Sequence, residues 1–152
     1  FSAGFARYLD SVSAIPVKEG EDGEPVLAGR AYIAPGGRHL RVQAARAGHV
    51  LRLDGVSPAD EGFRPSINAL LCSVAAACRS RTVGVLLSGM GEDGVAGMAA
   101  VRKLGGRTLV QDETSSVVFG MAERAVERGV VESVLPIERL AGAVVQAAGG
   151  AA

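Results

Sequence analysis

Residues 82–87 read Thr-Val-Gly-Val-Leu-Leu, and the run stops in Ser88-Gly89-Met90-Gly91-Glu92-Asp93-Gly94. An apolar run this short, rich in valine, is a strand rather than a helix, and its lack of alternation predicts burial on both faces. Gly89, Gly91 and Gly94 let the chain turn sharply and leave backbone N–H groups bare at the start of the next helix. A buried strand that empties through glycine into a helix is the unit of a parallel α/β sheet, and ligand chemistry in such sheets gathers at the carboxyl ends of the strands.

The residues after this turn repeat the unit. Helical periodicity predicts helices over Ser66–Arg79, Gly94–Leu104, Val117–Arg128 and Pro136–Ala147, with strands over Thr82–Leu87, Arg107–Val110 and Val130–Val134 between them. Strands alternating with helices imply parallel pairing and right-handed crossovers. The first half is different. A helix over Phe1–Leu9 precedes a polar turn at Glu19–Glu24 and a short strand at Ala31–Ala34. His39–Gln43 and Gly48–Leu53 predict a hairpin joined by Ala44–Ala47, and Asp54–Pro65 a loop. The expected class is α/β: a mainly parallel sheet with flanking helices, doubly wound and Rossmann-like in three layers, plus a small antiparallel hairpin. The 152 residues suit one domain. The glycine and alanine tail, Ala147–Ala152, is expected to fray.

Composition excludes several roles. Sixteen Lys and Arg balance sixteen Asp and Glu, so no net charge draws the chain to a nucleic acid. Aromatics are 4% and Trp is absent, which argues against base-stacking platforms. Cys72 and Cys78 stand six apart on a predicted helix, off a common face, so no disulfide joins them, and both read as buried and inert. His39 and His49 have no ligand cluster beside them, so no metal site is expected, and both read as exposed strand or turn residues. No apolar run is long enough for a membrane span, so membrane insertion is not expected. No signal peptide is visible, although Phe1 is not a native start, and a cytoplasmic setting is the expectation.

The glycine turn admits three readings from its residues. Gly89-x-Gly91-x-x-Gly94, with Asp112 ending the following strand, has the form of a dinucleotide fingerprint. Against it stand about 80 preceding residues and the adjacent charges of Glu92 and Asp93. Asp93 can instead be the acid of a nucleophile–base–acid triad. Or Glu92 or Asp93 simply caps the helix that follows.

Val83-Gly84-Val85-Leu86-Leu87-Ser88-Gly89-Met90-Gly91-Glu92-Asp93-Gly94-Val95-Ala96-Gly97-Met98 resembles a segment of the bacterial chemotaxis protein-glutamate methylesterases, the CheB family. Pro25, Gly29–Gly36 and His39 resemble the family's P-G-x-A-Y-I-A-P-G-x-x-H pattern; Arg64-Pro65-Ser66-Ile67 and Gln111–Met121 resemble two further segments, in family order. Asn68 stands where the family usually has Asp, Ala122 where Pro is common and Ser88 where Thr is frequent.

The resemblance implies hydrolysis of methyl esters on receptor glutamates by a Ser–His–Asp triad, and in many members deamidation of receptor glutamines. Asp93 matches the triad acid, and Met90 the residue whose backbone helps hold the oxyanion. The family's serine and histidine motifs precede the segment that Phe1-Ser2-x-x-Phe5-Ala6-x-x-Leu9 resembles. Residues 1–152 are therefore expected to be a methylesterase-type catalytic domain without its N-terminal part, so that the nucleophile and base strands and the receiver domain are absent. Such a chain is expected to be inactive alone, and less stable than the whole domain because two strands are missing. Neither His39 nor His49 is expected near the triad, and Ser88 is not its nucleophile. No cofactor is implied. The expected partners are a methylated chemoreceptor and a receiver domain, with no nucleic acid. The alternatives are a dinucleotide-binding domain and a non-catalytic receptor-binding module.

Overall fold

The computed structural model describes residues 1–54 and 62–149. Most of the predicted loop 54–65 and the tip of the tail, residues 150–152, lie outside the described residues. Among the described residues there are three small sheets: a parallel pair, an antiparallel hairpin and a three-stranded parallel sheet.

The first half builds the two small sheets. Helix α1 (Ser2–Val12) buries Ala6 and packs on β1 (Val17–Glu19), which pairs in parallel with β2 (Ala31–Ile33). Strand β3 (His39–Ala45) runs two residues beyond its predicted end and pairs with β4 (Gly48–Asp54). The connection shrinks to Arg46 and Ala47 because Gly48, at φ +112°, takes a conformation that costs other residues strain. Leu40 and Leu51, from the two hairpin strands, are almost fully buried.

The second half follows the expected alternation. Helix α2 (Ile67–Cys78) leads to β5 (Val83–Leu86), α3 (Val95–Lys103), β6 (Arg107–Gln111), α4 (Gly120–Glu127), β7 (Ser133–Leu135) and α5 (Ile137–Ala147). The strands are parallel in the order β5-β6-β7, and both α3 and α5 pack on β6. Leu86, Val95, Met98, Val110, Ala122 and Ala125 form the core between sheet and helices.

The expectation that Thr82–Leu87 is buried on both faces is corrected. Gly84 and Leu86 are buried, but Val83 and Val85 are only half-buried and Leu87 is exposed. The fully covered strand is β6, with Thr108 through Gln111 all buried, because it has a neighbour on each edge. Two boundaries also move. Val117–Phe119 lie outside α4 because Val118 is bonded to the loop after β5, and Val130 and Val131 pack on the core before β7 begins.

Helices α2 and α3 cross closely because Gly97 lies against Leu71, where an added Cβ would come within 2.6 Å of the Leu71 Cβ. Gly97→Ala gains at most about 1 kcal/mol of helix propensity. Overpacking against so immobile an atom costs about 1–3 kcal/mol. The substitution is therefore expected to destabilise the chain, with a lower midpoint in urea unfolding.

Candidate functional site

The loops after β5 and β6 meet. Ser88 donates its backbone N–H to Gln111 Oε1 at 2.9 Å, and Gly89 donates its own to the Val118 carbonyl at 2.9 Å. The Ser88 hydroxyl accepts the Val118 N–H at 3.0 Å and donates back to the Val118 carbonyl at 3.3 Å. Gly120 and Met121 both donate to the Gly89 carbonyl at 3.0 Å. The Met121 side chain lies directly over Gly89, where an added Cβ would have to displace its terminal methyl group. Ser88 is thus a loop fastener, and among the described residues no histidine bonds its hydroxyl.

Beyond this clamp the chain turns outward. Met90 is 81% exposed, and among the described residues no acceptor takes its backbone N–H. Gly91 follows at φ +97°.

Asp93 points away from the helix it precedes. Its Oδ1 accepts from the Ser66 hydroxyl at 2.8 Å and the Asn68 N–H at 2.9 Å, and its Oδ2 accepts the Ile67 N–H at 2.6 Å. These are the first amides of α2, so Asp93 caps α2 and not α3, which corrects the simplest reading of the turn. Asn68 returns the contact: its Oδ1 accepts the N–H groups of Gly94 at 2.9 Å and Gly97 at 2.8 Å. Each helix is capped by a residue from the start of the other.

That exchange removes the physical basis of the dinucleotide reading. A pyrophosphate needs free amides at the N-terminus of α3, and Asn68 occupies two of them. Asp112 is also engaged: Oδ1 accepts the Ser115 hydroxyl at 2.6 Å and amide at 3.0 Å, and Oδ2 the Thr114 hydroxyl at 2.8 Å. The Ser115 hydroxyl is the main cause that holds the Asp112 carboxyl below its ordinary pKa, against a desolvation effect of opposite sign.

His39 was expected to be an exposed residue remote from the site. It is buried, and its Nδ1 accepts the Ser66 N–H at 3.1 Å, one residue from the Asp93 cap. The β3–β4 hairpin brings it there by packing on α2. His49 is likewise not exposed: it is half-buried, with Nε2 3.3 Å from the Ala77 carbonyl and 3.6 Å from Cys78 Sγ. Cys72 and Cys78 are free thiols, each half-buried rather than fully buried.

His39, Ser66 and Asp93 bring the three residue types of a hydrolytic triad together in the wrong connection. A triad histidine bridges serine and acid. Here the serine hydroxyl donates directly to the acid, and the histidine accepts from the serine backbone. The hydroxyl has one proton, and Asp93 already takes it. A cleft of about 880 Å³ opens beside this group, lined in part by His39, Phe63, Asn68, Glu92 and Asp93. Among the described residues no three His, Cys, Asp or Glu converge as a metal set, and no helix is long and apolar enough to cross a membrane.

Residues 1–144 match the family profile of the CheB methylesterases. This chain belongs to the CheB methylesterase family. It is 47% identical over 140 residues to the protein-glutamate methylesterase/protein-glutamine glutaminase of group 3 operon of Bradyrhizobium diazoefficiens, covering 92% of this chain and 38% of that protein. The protein-glutamate methylesterase/protein-glutamine glutaminase of Pyrococcus horikoshii is 43% identical over 147 residues, with 97% of this chain and 40% of that protein covered. The CheB methylesterase catalytic domain of Thermotoga maritima superposes with a TM-score of 0.91 at 36% identity, over 96% of this chain and 77% of that one. The chain spans about 40% of the length of the curated relatives it matches.

Sequence reasoning singled out Asp93 and Met90 but missed Asn68, Ser66 and Gln111 as structural partners of the turn. For Ser66 a signal existed, since Pro-Ser before an apolar helix is an N-cap pattern. For Asn68 and Gln111 none did, because their partners are more than twenty residues away.

Two outcomes are expected. Asn68→Ala orphans the Gly94 and Gly97 amides and lowers stability by about 1–3 kcal/mol in urea unfolding, whereas Asn68→Asp keeps an acceptor and loses less. The lowered Asp112 pKa means that the unfolded chain binds a proton more readily. Its contribution is whole above the ordinary carboxylate range and is lost as pH falls through the lower folded value. The acid-side fall of Tm is expected to be shallower in Asp112→Asn.

Proposed function

We propose that residues 1–152 are the C-terminal part of a protein-glutamate methylesterase catalytic domain and supply the acid of its triad, Asp93. The nucleophilic serine and the base histidine come from outside these residues, in the length of the relatives that the chain does not span. The observation that carries this reading is the free valence of Asp93. A carboxylate offers about four acceptor positions. Among the described residues three are filled, two on Oδ1 and one on Oδ2. The open one on Oδ2 can take the N–H of an imidazole. Three donors fix the plane of the carboxylate, as a group that orients a base requires.

The serine attacks the methyl ester of a receptor glutamate while the histidine takes its proton. Asp93 fixes the imidazole tautomer and stabilises the imidazolium. The Met90 N–H, exposed and without a protein acceptor among the described residues, donates to the oxyanion of the tetrahedral intermediate. Methanol leaves, and water releases the glutamate carboxylate. The same steps on a glutamine side chain release ammonia, in keeping with the relatives' double name. No cofactor takes part. The substrate is the cytoplasmic part of a methylated chemoreceptor, and a receiver domain regulates the longer protein. Support for a longer sheet comes from β5, which among the described residues has a partner on one edge only.

The test is Asp93→Asn against Glu92→Gln in the longer protein, with methanol release from methylated receptor as readout. Glu92 is exposed and lies 3.9 Å from Arg124, outside the Asp93 cap. Asp93→Asn is expected to cut turnover by about 10³–10⁴-fold, and Glu92→Gln to change it little. Equal small effects would overturn the assignment. Asn has nearly the shape of Asp, but it cannot take over every contact of Asp93. Because both carboxylate oxygens accept, its NH₂ must instead face a donor, and about 1–2 kcal/mol of stability is lost as well.

A further inference from the structure

We propose that Ser66 is a positioning residue for Asp93, setting both the plane of its carboxylate and the charge it presents to the base. This rests on the reading of Asp93 as the triad acid. Ser66 is the N-cap of α2, and its hydroxyl has two duties. It accepts the Ala69 N–H at 3.2 Å, which is ordinary capping. Its single proton goes to Asp93 Oδ1 at 2.8 Å, which capping does not need. Ser66 is itself held from behind, since its N–H donates to the buried His39 Nδ1 at 3.1 Å. The hydroxyl is therefore fixed at both ends of its residue before it reaches the carboxylate.

A hydrogen bond to Oδ1 has two effects on the opposite oxygen. It stops the carboxylate rotating about its Cβ–Cγ bond, and it draws negative charge away from Oδ2, where the imidazole binds. The Ile67 and Asn68 amides also donate to Asp93, but they are backbone groups of a helix turn that only proline would remove, at the cost of the turn itself. Ser66 is the side chain through which this charge can be altered. Among the described residues, the charged groups near the cap include Glu92, which is exposed near Arg124, the paired Arg41 and Asp54, Arg128 on the cleft wall, and Arg64, two residues before Ser66.

Ser66→Gly separates the two duties. Glycine is nearly as good an N-cap as serine, losing only a few tenths of a kcal/mol, but it has no proton to donate. In the longer protein, Ser66→Gly is expected to lower kcat about tenfold with KM for methylated receptor unchanged. The acidic limb of kcat/KM should move to higher pH, because an Asp93 carrying more charge holds the imidazolium more firmly. Ser66→Thr, which keeps the hydroxyl, should restore both. A Ser66→Gly protein with a lowered Tm but wild-type kcat and an unmoved limb would overturn the proposal, since a purely structural cap behaves that way. Asp93→Asn, assayed in parallel, keeps the two readings apart. If it leaves turnover intact, the triad assignment fails and the positioning role with it. If it abolishes turnover while Ser66→Gly shifts nothing, only the positioning role fails.

Discussion

The exchange of caps between Asp93 and Asn68 is the interaction on which the second half of the fold depends. Helix starts leave amides without intrahelical partners. Here two such starts lie side by side, and each supplies the acceptor that the other lacks. The arrangement fixes the register of α2 against α3 at one end, so that Leu71 falls opposite Gly97 further along. It also fixes where the chain leaves β5. Gly94 must turn at φ +113° to put Asp93 on α2 and the next amide on Asn68, and there its Cα lies too near Leu86 to carry a side chain.

The clamp between Gly89 and Val118 does the same for the other side of the turn. With Gly89 held by the loop after β6 and Asp93 held by α2, only Met90, Gly91 and Glu92 remain free to project. A turn built this way has little freedom of its own. Its rigidity comes from elements far off in sequence, since α2 and the loop after β6 hold its two ends.

Much of this was legible in the sequence because it is local. The apolar run before Gly89 marks a strand by length and valine content, and Pro136 and Gly105 mark helix ends. Asp93 was visible as a carboxylate at a helix start. What it caps was not, since a one-dimensional reading pairs a cap with the helix that follows it, and α2 lies some 25 residues back. The burial of His39 was hidden for a related reason: hairpin alternation says which residues share a face, not which helix covers that face. The covering of β6 in place of β5 follows from sheet order, which the pattern of apolar residues does not encode.

Reciprocal capping also governs how the region opens to solvent. Local openings in proteins occur in cooperative units, and the amides of Ile67, Asn68, Gly94 and Gly97 share two side chains between them. Unwinding the first turn of α2 carries Asn68 away from α3, and unwinding the first turn of α3 loosens Asp93 from α2. The four amides therefore belong to a single breathing mode that spans two helices. Fraying, ordinarily the private affair of one helix end, is here a joint event.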